Sequence, residues 1–341
     1  ITVGGTGKTP HVEYLVELLR HKWRVAVLSR GYKRKSRGYI VADNGSTART
    51  IGDEPWQMKQ KYPDVTVAVD RDRRHGIRRL TEDKSASGID VVLLDDAFQH
   101  RYVKPGINIL LVDYHRLIIY DKLLPAGRLR EQLSGKDRAD IVIVTKCPAD
   151  LKPMEFRVIT KAMNLYPYQH LYFTRLDYKP LRPLFAGKPR AIETLGKEQH
   201  ILLLTGIASP RQMMLDLAPH CPNITPLAFA DHHAFTPADA ELINRRLAAM
   251  PEPRMIVTTE KDAARLLTLE GLADETRRAM YVLPVSVKFM LEQEENFNEN
   301  IIGYVRKNSR NSILAKAKDD HKPKDGDNTR HRPGTISFRN N

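Results

Sequence analysis

The run Gly4-Gly5-Thr6-Gly7-Lys8-Thr9-Pro10 has the composition of a cradle for a nucleoside triphosphate. Glycines let the backbone turn with its N–H groups inward, and a helix beginning there adds a partial positive charge. Lys8 can then reach β- and γ-phosphates, and the Thr9 hydroxyl can bind Mg²⁺. The phosphate-loop pattern G-x-x-x-x-G-K-[ST] asks for glycine where this chain has Thr2. A glycine-rich turn with a solvated lysine is the competing reading, but the preceding apolar residues and the helix onset favour phosphate binding.

A second element of this chemistry is Val91-Val92-Leu93-Leu94-Asp95-Asp96, an apolar strand ending in two carboxylates. In a phosphate-loop protein, a strand beside the first delivers an acid to the metal shell. Gln99 and His100 follow, at the carboxyl edge where open α/β sheets bind ligands. The basic and aromatic segment 29–39, which includes Arg30, occupies the same edge and suits an anionic substrate. Arg71, Arg73, Arg74, Arg78 and Arg79 fall instead on a helix and read as a solvated face. Asp53-Glu54 precede a helix, where capping is the plain explanation. Asp231-His232-His233 ends a strand of the second half. A carboxylate tuned by an imidazole across a cleft would supply the base that an acceptor hydroxyl needs.

These residues need a frame that places them at one edge. Continuous apolar runs at 1–3, 24–28, 66–69, 91–94, 107–112 and 141–144 predict strands covered on both faces. Helices are expected over 10–21, 54–62 and 71–83. Such alternation requires a mainly parallel sheet with right-handed crossovers. After the alternating stretch 170–178, Pro180, Pro183, Gly187 and Pro189 mark a boundary. A second set follows, with strands over 201–204, 224–229, 255–258 and 281–287 and helices over 210–217, 237–249 and 262–267. Helical spacing continues over 289–307, and the polar stretch after it has little to bury. The expected fold is α/β: a P-loop NTPase-like parallel sheet domain over 1–178 and a second, smaller α/β domain over 179–290. A C-terminal helix over 291–308 and a disordered basic tail over 309–341 complete it.

The 341 residues suit two domains of roughly 100–200 residues each. Hydrophobic residues make up 41% and charged residues 28%, too polar for a multi-span membrane protein, and no apolar stretch approaches the ~18–20 residues that cross a bilayer. Cys147 and Cys221, far apart, form neither a disulfide framework nor a zinc site and suit a reducing compartment. Residues 305–341 hold ten Lys/Arg and four Asp/Glu, so the tail carries +6 of the net +14 and the body +8. A positive body implies an anionic partner, but no recognition helix, zinc site or aromatic platform speaks for nucleic acid.

With these residues in view, the chain resembles the tetraacyldisaccharide 4'-kinase family. The resemblance rests on motifs in order over about residues 1–290: Val3 to Pro10, Leu28-Ser29-Arg30-Gly31-Tyr32, Gly52-Asp53-Glu54-Pro55, Asp95-Asp96-Ala97-Phe98-Gln99-His100, Leu124 to Glu131, Asp231-His232-His233 and Thr259-Glu260-Lys261-Asp262. It implies an ATP- and Mg²⁺-dependent kinase that phosphorylates the 4'-hydroxyl of a tetraacylated glucosamine disaccharide 1-phosphate in lipid A synthesis. By that resemblance Gly4, Gly5, Thr6, Gly7, Lys8 and Thr9 hold ATP, and Asp53 is the base with His232 as its partner. Thr9, Glu54, Asp95, Asp96 and Glu131 form or support the metal shell. Arg30, Gln99, His100 and Arg130 lie near the phosphates or the sugar. The implied partners are the acylated disaccharide and the inner-membrane surface on its cytoplasmic face, with no nucleic acid and no obligate protein partner. The resemblance also implies an N-terminal hydrophobic helix that docks on the inner membrane, and since the chain opens at Ile1 inside an expected strand, that segment is expected ahead of it. The alternative is a P-loop ATPase or nucleotide-dependent switch acting on a protein partner.

Overall fold

Strands and helices alternate as the apolar periodicity requires in a computed structural model that describes residues 5–82, 88–207, 211–231 and 233–319, with side chains to residue 308. The strand expected at 1–3, Gly4, His232 and the tail beyond 319 lie outside the described residues. The first elements are α1 (Lys8–Arg20), β1 (Val25–Ser29), β2 (Ile40–Val41), α2 (Ala48–Ile51), α3 (Asp53–Lys61), β3 (Thr66–Val69), α4 (Arg73–Glu82) and β4 (Val91–Leu94). They form a sheet in the order β2-β3-β1-β4. β1 pairs in parallel with β3 and β4, so Ser29 and the end of β4 emerge side by side. Ala26, Leu28, Ala68 and Leu80 are wholly buried in its core.

β5 (Ile109–Asp113), β6 (Ile141–Thr145), α5 (Pro153–Met163) and β7 (His170–Tyr178) follow. The three strands pair in parallel, and every residue of β6 is buried. Covering on both faces explains the unbroken apolarity of Ile141-Val142-Ile143-Val144.

The remaining elements are β8 (Arg182–Pro183), β9 (His200–Thr205), α6 (Arg211–Leu217), β10 (Asn223–Ala228), α7 (Pro237–Ala248), β11 (Arg254–Thr259), α8 (Glu260–Leu266), α9 (Asp274–Arg278), β12 (Met280–Leu283), β13 (Val285–Phe289) and α10 (Glu294–Asp319). A sheet of order β10-β9-β11-β12-β8 has helices on both faces. Along β9, Leu202 and Leu204 pack with Ile243 and Leu247 of α7, while Ile201 and Leu203 pack with Met213 and Leu217 of α6. Burying each such side chain stabilises the fold by about 1.5–3 kcal/mol before entropy is counted.

The single strand expected over 281–287 is two strands in two sheets. Pro284 has no N–H to give a ladder, and its carbonyl accepts from Lys179 N at 3.0 Å. Before it β12 runs parallel to β11; after it β13 runs antiparallel to β7. The chain therefore changes sheet at this proline. Residues 285–289 being strand, the expected helix begins at Glu294, and it extends to Asp319 instead of ending near 308. The chain divides into two compact units, Ile1–Glu299 and Asn300–Asn341, and all side chains considered below belong to the first.

Candidate active site

Gly5 and Gly7 sit at φ 80° and 78°, in the left-handed region that glycine enters without strain. Gly7 caps α1, which starts at Lys8 rather than at the expected Pro10, and no side chain caps its first N–H groups. Uncapped N–H groups behind a glycine turn are an anion site in waiting. Lys8 Nζ lies 3.1 Å from Asp96 Oδ1, so the loop lysine meets the acid pair that ends β4. One turn into α1, burial lowers the pKa of His11 to about 4 and keeps it neutral.

Asp96 is itself left-handed, at φ 49°, and is exposed, whereas Asp95 continues the sheet through its N–H to the Leu28 carbonyl at 3.1 Å. Ser29 Oγ donates to Asp95 Oδ2 at 3.2 Å. Burial, then the neighbouring charges of Asp96 and Glu54, pushes the Asp95 carboxyl up to about 6. Arg73 corrects the expectation of a solvated arginine face on α4. Arg71, Arg74, Arg78 and Arg79 are exposed, but Arg73 is buried and donates to the carbonyls of Asp70 at 2.9 Å and Asp95 at 3.0 Å. It fixes the backbone from which Asp95 projects.

Asp53 and Glu54 open α3 behind Gly52, whose φ of 99° turns the chain sharply. Both carboxylates are met by cations of α8. Arg265 Nε is 3.4 Å from Asp53 Oδ2, and Lys261 Nζ is 3.5 Å from Glu54 Oε1. The same two cations hold the segment around the expected histidine: Lys261 pairs with Asp231 Oδ1 at 3.1 Å, and Arg265 Nη1 donates to the His233 carbonyl at 2.8 Å. The residues on either side of His232 are thus tied to the side chains that touch Asp53 and Glu54. Asp262 anchors this arrangement, accepting from Gly206 N at 2.9 Å and pairing with Arg265 at 3.2 Å. Farther along, Lys61 bridges Glu13 at 2.6 Å and Glu260 at 3.2 Å, so α3 is clamped to α8 near both ends.

A second group lies on the loops after β4 and β5. Arg130 Nη1 donates to Gln99 Oε1 at 3.4 Å, bringing two expected substrate residues together. Glu131, expected in the metal shell, is held by Arg138 at 2.9 Å and Arg101 at 3.1 Å, and Arg138 lies over the Phe98 ring at 4.9 Å. His100 has a buried Nδ1 without a hydrogen-bond partner among the described residues. Arg30 is exposed on the loop after β1.

Sequence reasoning missed Arg73, Arg265 and the role of Lys261. Lys261 lay inside the quoted Thr259-Glu260-Lys261-Asp262 motif, which was the available signal. Arg265 carries none beyond standing one helical turn after it.

The described residues contain no group of three or more His, Cys, Asp or Glu side chains able to hold a metal. Mg²⁺ does not require one, since it keeps waters and takes one or two carboxylates plus substrate phosphates. Asp95 and Asp96, with Asp96 against Lys8 of the phosphate loop, are hard oxygen donors of that kind, and the Asp95 carboxyl is raised first by its burial and then by the charges of Asp96 and Glu54.

Comparisons with known proteins identify the family. A family model described as tetraacyldisaccharide-1-P 4'-kinase matches residues 1–306. The chain belongs to the tetraacyldisaccharide 4'-kinase family. Among family members, the tetraacyldisaccharide 4'-kinase of Phocaeicola vulgatus is 59% identical over 314 residues, covering 92% of this chain and 86% of its own. That of Bacteroides thetaiotaomicron is 52% identical over 330 residues, covering 94% and 87%. A crystal structure of LpxK from Aquifex aeolicus in complex with ATP superposes with a TM-score of 0.65 at 28% identity, over 89% of this chain and 86% of that one.

The charge at Asp95 leads to a stability prediction. A carboxyl whose pKa rises on folding from 3.8 to about 6 destabilises the fold once ionised, and the penalty grows as pH climbs through that window. Asp95→Asn should therefore raise the melting temperature of the metal-free chain above pH 6, with the gain vanishing near pH 4. Equal melting curves at pH 7.5 would show that the charge is relieved in another way.

Proposed function

We propose that this chain transfers the γ-phosphoryl group of ATP to the 4'-hydroxyl of a tetraacyldisaccharide 1-phosphate. The observation that carries the reading is the Lys8–Asp96 contact, which joins a phosphate loop to a paired-acid strand end. Gly4 to Gly7 and Lys8 bind the triphosphate. Thr9, Asp95 and Asp96 would hold Mg²⁺, with the Glu54 charge acting on Asp95 and Glu131, held by Arg101 and Arg138, in a supporting role. Mg²⁺, when bound, neutralises charge on the phosphates. Asp53 takes the proton of the 4'-hydroxyl as its oxygen bonds the γ-phosphorus, and the bond from that phosphorus to ADP breaks. His232 orients Asp53, while Arg265 and Lys261 hold the two segments at this spacing. Gln99 and Arg130, with Arg30 and His100, contact the phosphates or sugar of the acceptor.

The division into a P-loop domain and a smaller α/β domain at residue 178 belongs to the same reading, with the second domain ending at Pro284 instead of 290 because β13 pairs with β7 of the first. Catalysis then requires the α8 side of the second to stay seated on α3 of the first, which also keeps water from the γ-phosphate. An acylated acceptor places the enzyme at the cytoplasmic face of the inner membrane, as a peripheral protein. Its net charge of +14 suits an anionic surface, and no helix among the described residues is long and apolar enough to cross one.

The discriminating experiment measures ATP consumption with and without the acylated disaccharide. Turnover should depend on the lipid; ATP hydrolysis indifferent to it would favour the nucleotide-switch alternative. A Mg²⁺ titration tests the metal assignment. Asp95→Asn and Asp96→Asn should each shift the half-saturating Mg²⁺ concentration upward, because one hard oxygen charge is lost. Superimposable titrations for parent and both variants would leave these acids a structural role.

A further inference from the structure

Successive carbonyls of the phosphate loop are each taken by a side chain from elsewhere. The Gly5 carbonyl accepts from Lys146 Nζ. The Thr6 carbonyl accepts from Thr145 Oγ1 at 3.0 Å, and the Gly7 carbonyl from His11 Nδ1 at 2.7 Å. In a planar trans peptide the carbonyl and the following N–H point in opposite directions. Fixing the carbonyls of Gly5, Thr6 and Gly7 therefore also fixes the N–H groups of Thr6, Gly7 and Lys8, each directed away from its locked carbonyl, in a turn where Gly5 and Gly7 are left-handed. That is the geometry of an anion-binding nest.

The donors are held in turn. Thr145 is fully buried at the end of β6, and its hydroxyl lies within 3.4 Å of the Val112 carbonyl on β5. Lys146, left-handed at φ 58°, pairs with Asp113 Oδ2 at 2.8 Å, which keeps its ammonium near the loop. His11 Nδ1 carries the proton it donates to Gly7, and its Nε2 lies 3.1 Å from the Thr174 hydroxyl on β7. Thr174 is itself buried and its carbonyl receives Cys147 N at 3.0 Å. The loop is thus tied to β5, β6 and β7 and to the first turns of α1. Glycines supply the turn, but they also leave it free to sample others.

We propose that His11, Thr145 and Lys146 are positioning residues which lock the phosphate loop in its triphosphate-binding form before the nucleotide arrives. The proposal rests on the phosphate-loop reading above and adds residues that it assigns to neither nucleotide nor acceptor. A preorganised loop loses less conformational freedom on binding, so the locks act on nucleotide affinity.

The test is calorimetric binding of a non-hydrolysable ATP analogue to the full chain, with steady-state kinetics and melting curves alongside. Thr145→Val keeps shape but loses the hydroxyl, and Lys146→Met keeps length but loses the ammonium. Each should raise Kd and the KM for ATP about 10-fold, the cost of one lost hydrogen bond. kcat at saturating ATP should stay within about 3-fold, because the loop closes correctly once the nucleotide fills it. His11→Asn, whose amide nitrogen reaches the place of Nδ1, should bind within about 3-fold of the parent, whereas His11→Phe should lose about 10-fold. Parental affinity in folded Thr145→Val and Lys146→Met overturns the proposal, as does equal loss in His11→Asn and His11→Phe. Should His11→Phe not fold, the Thr145 and Lys146 variants decide alone. Lys8→Ala in the same assay separates the two levels. If it also binds like the parent, the phosphate-loop reading fails and the locks with it; if it alone loses affinity, only the locks fail.

Discussion

Lys8→Ala is expected to abolish phosphoryl transfer, with a loss of about 10³-fold or more and little change in melting temperature. Removing one fixed positive charge from a transferring phosphoryl group is comparable to removing a preorganised donor from an oxyanion site, which costs about 10²–10³-fold, and Lys8 carries a full charge. The folded state should notice little. Lys8 and Asp96 are both partly exposed, at 34% and 55% of their side-chain surface. Exposed ion pairs contribute about 0–1 kcal/mol. Turnover rates with circular dichroism and melting curves check this expectation, and a folded Lys8→Ala variant of parental activity would remove the phosphate loop from the reaction.

The second large effect concerns Asp53 and His232. If Asp53 takes the acceptor proton and His232 orients it, each alanine variant should lose about 10²–10⁴-fold in kcat, the range of general acid–base catalysis. The double variant should be little worse than the poorer single, because groups acting as one unit are non-additive. ATP affinity should be almost unchanged in all three. Were Asp53 only the opening residue of α3 and His232 only a structural residue, melting temperature would fall and the rate losses would multiply, as they do at independent sites. Kinetics and melting temperatures on the three variants separate the cases. Arg265 gives the cycle a physical link, since it reaches both Asp53 and the His233 carbonyl.

Much of this site was legible because its parts are local. The glycine loop, the acid pair at the end of β4 and the runs that became β3 and β4 are contiguous signals of turn, charge and apolar continuity. The strand change at Pro284 was hidden because Tyr281 to Val287 reads as one apolar run. Only the pairing partners, β11 on one side and β7 on the other, reveal two sheets. Arg73 shares its helix with exposed arginines, and nothing in composition separates the one that turns inward to the Asp95 carbonyl. Lys261 and Arg265 lie far along the chain from Glu54 and Asp53, which they touch. Ion pairs across such separations leave no periodicity to detect. The carbonyl locks were invisible for the same reason, since Thr145 and Lys146 look like the ordinary end of a buried strand.

The most direct measurement is the identity of the product. Purified chain, ATP labelled at the γ-phosphate, Mg²⁺ and the tetraacylated disaccharide 1-phosphate in mixed micelles should yield a bisphosphorylated lipid. The label should sit on the 4'-oxygen, as assigned by mass spectrometry and phosphorus NMR, and no such product should form with Lys8→Ala. Label recovered only as inorganic phosphate, at a rate independent of the lipid, would contradict the account.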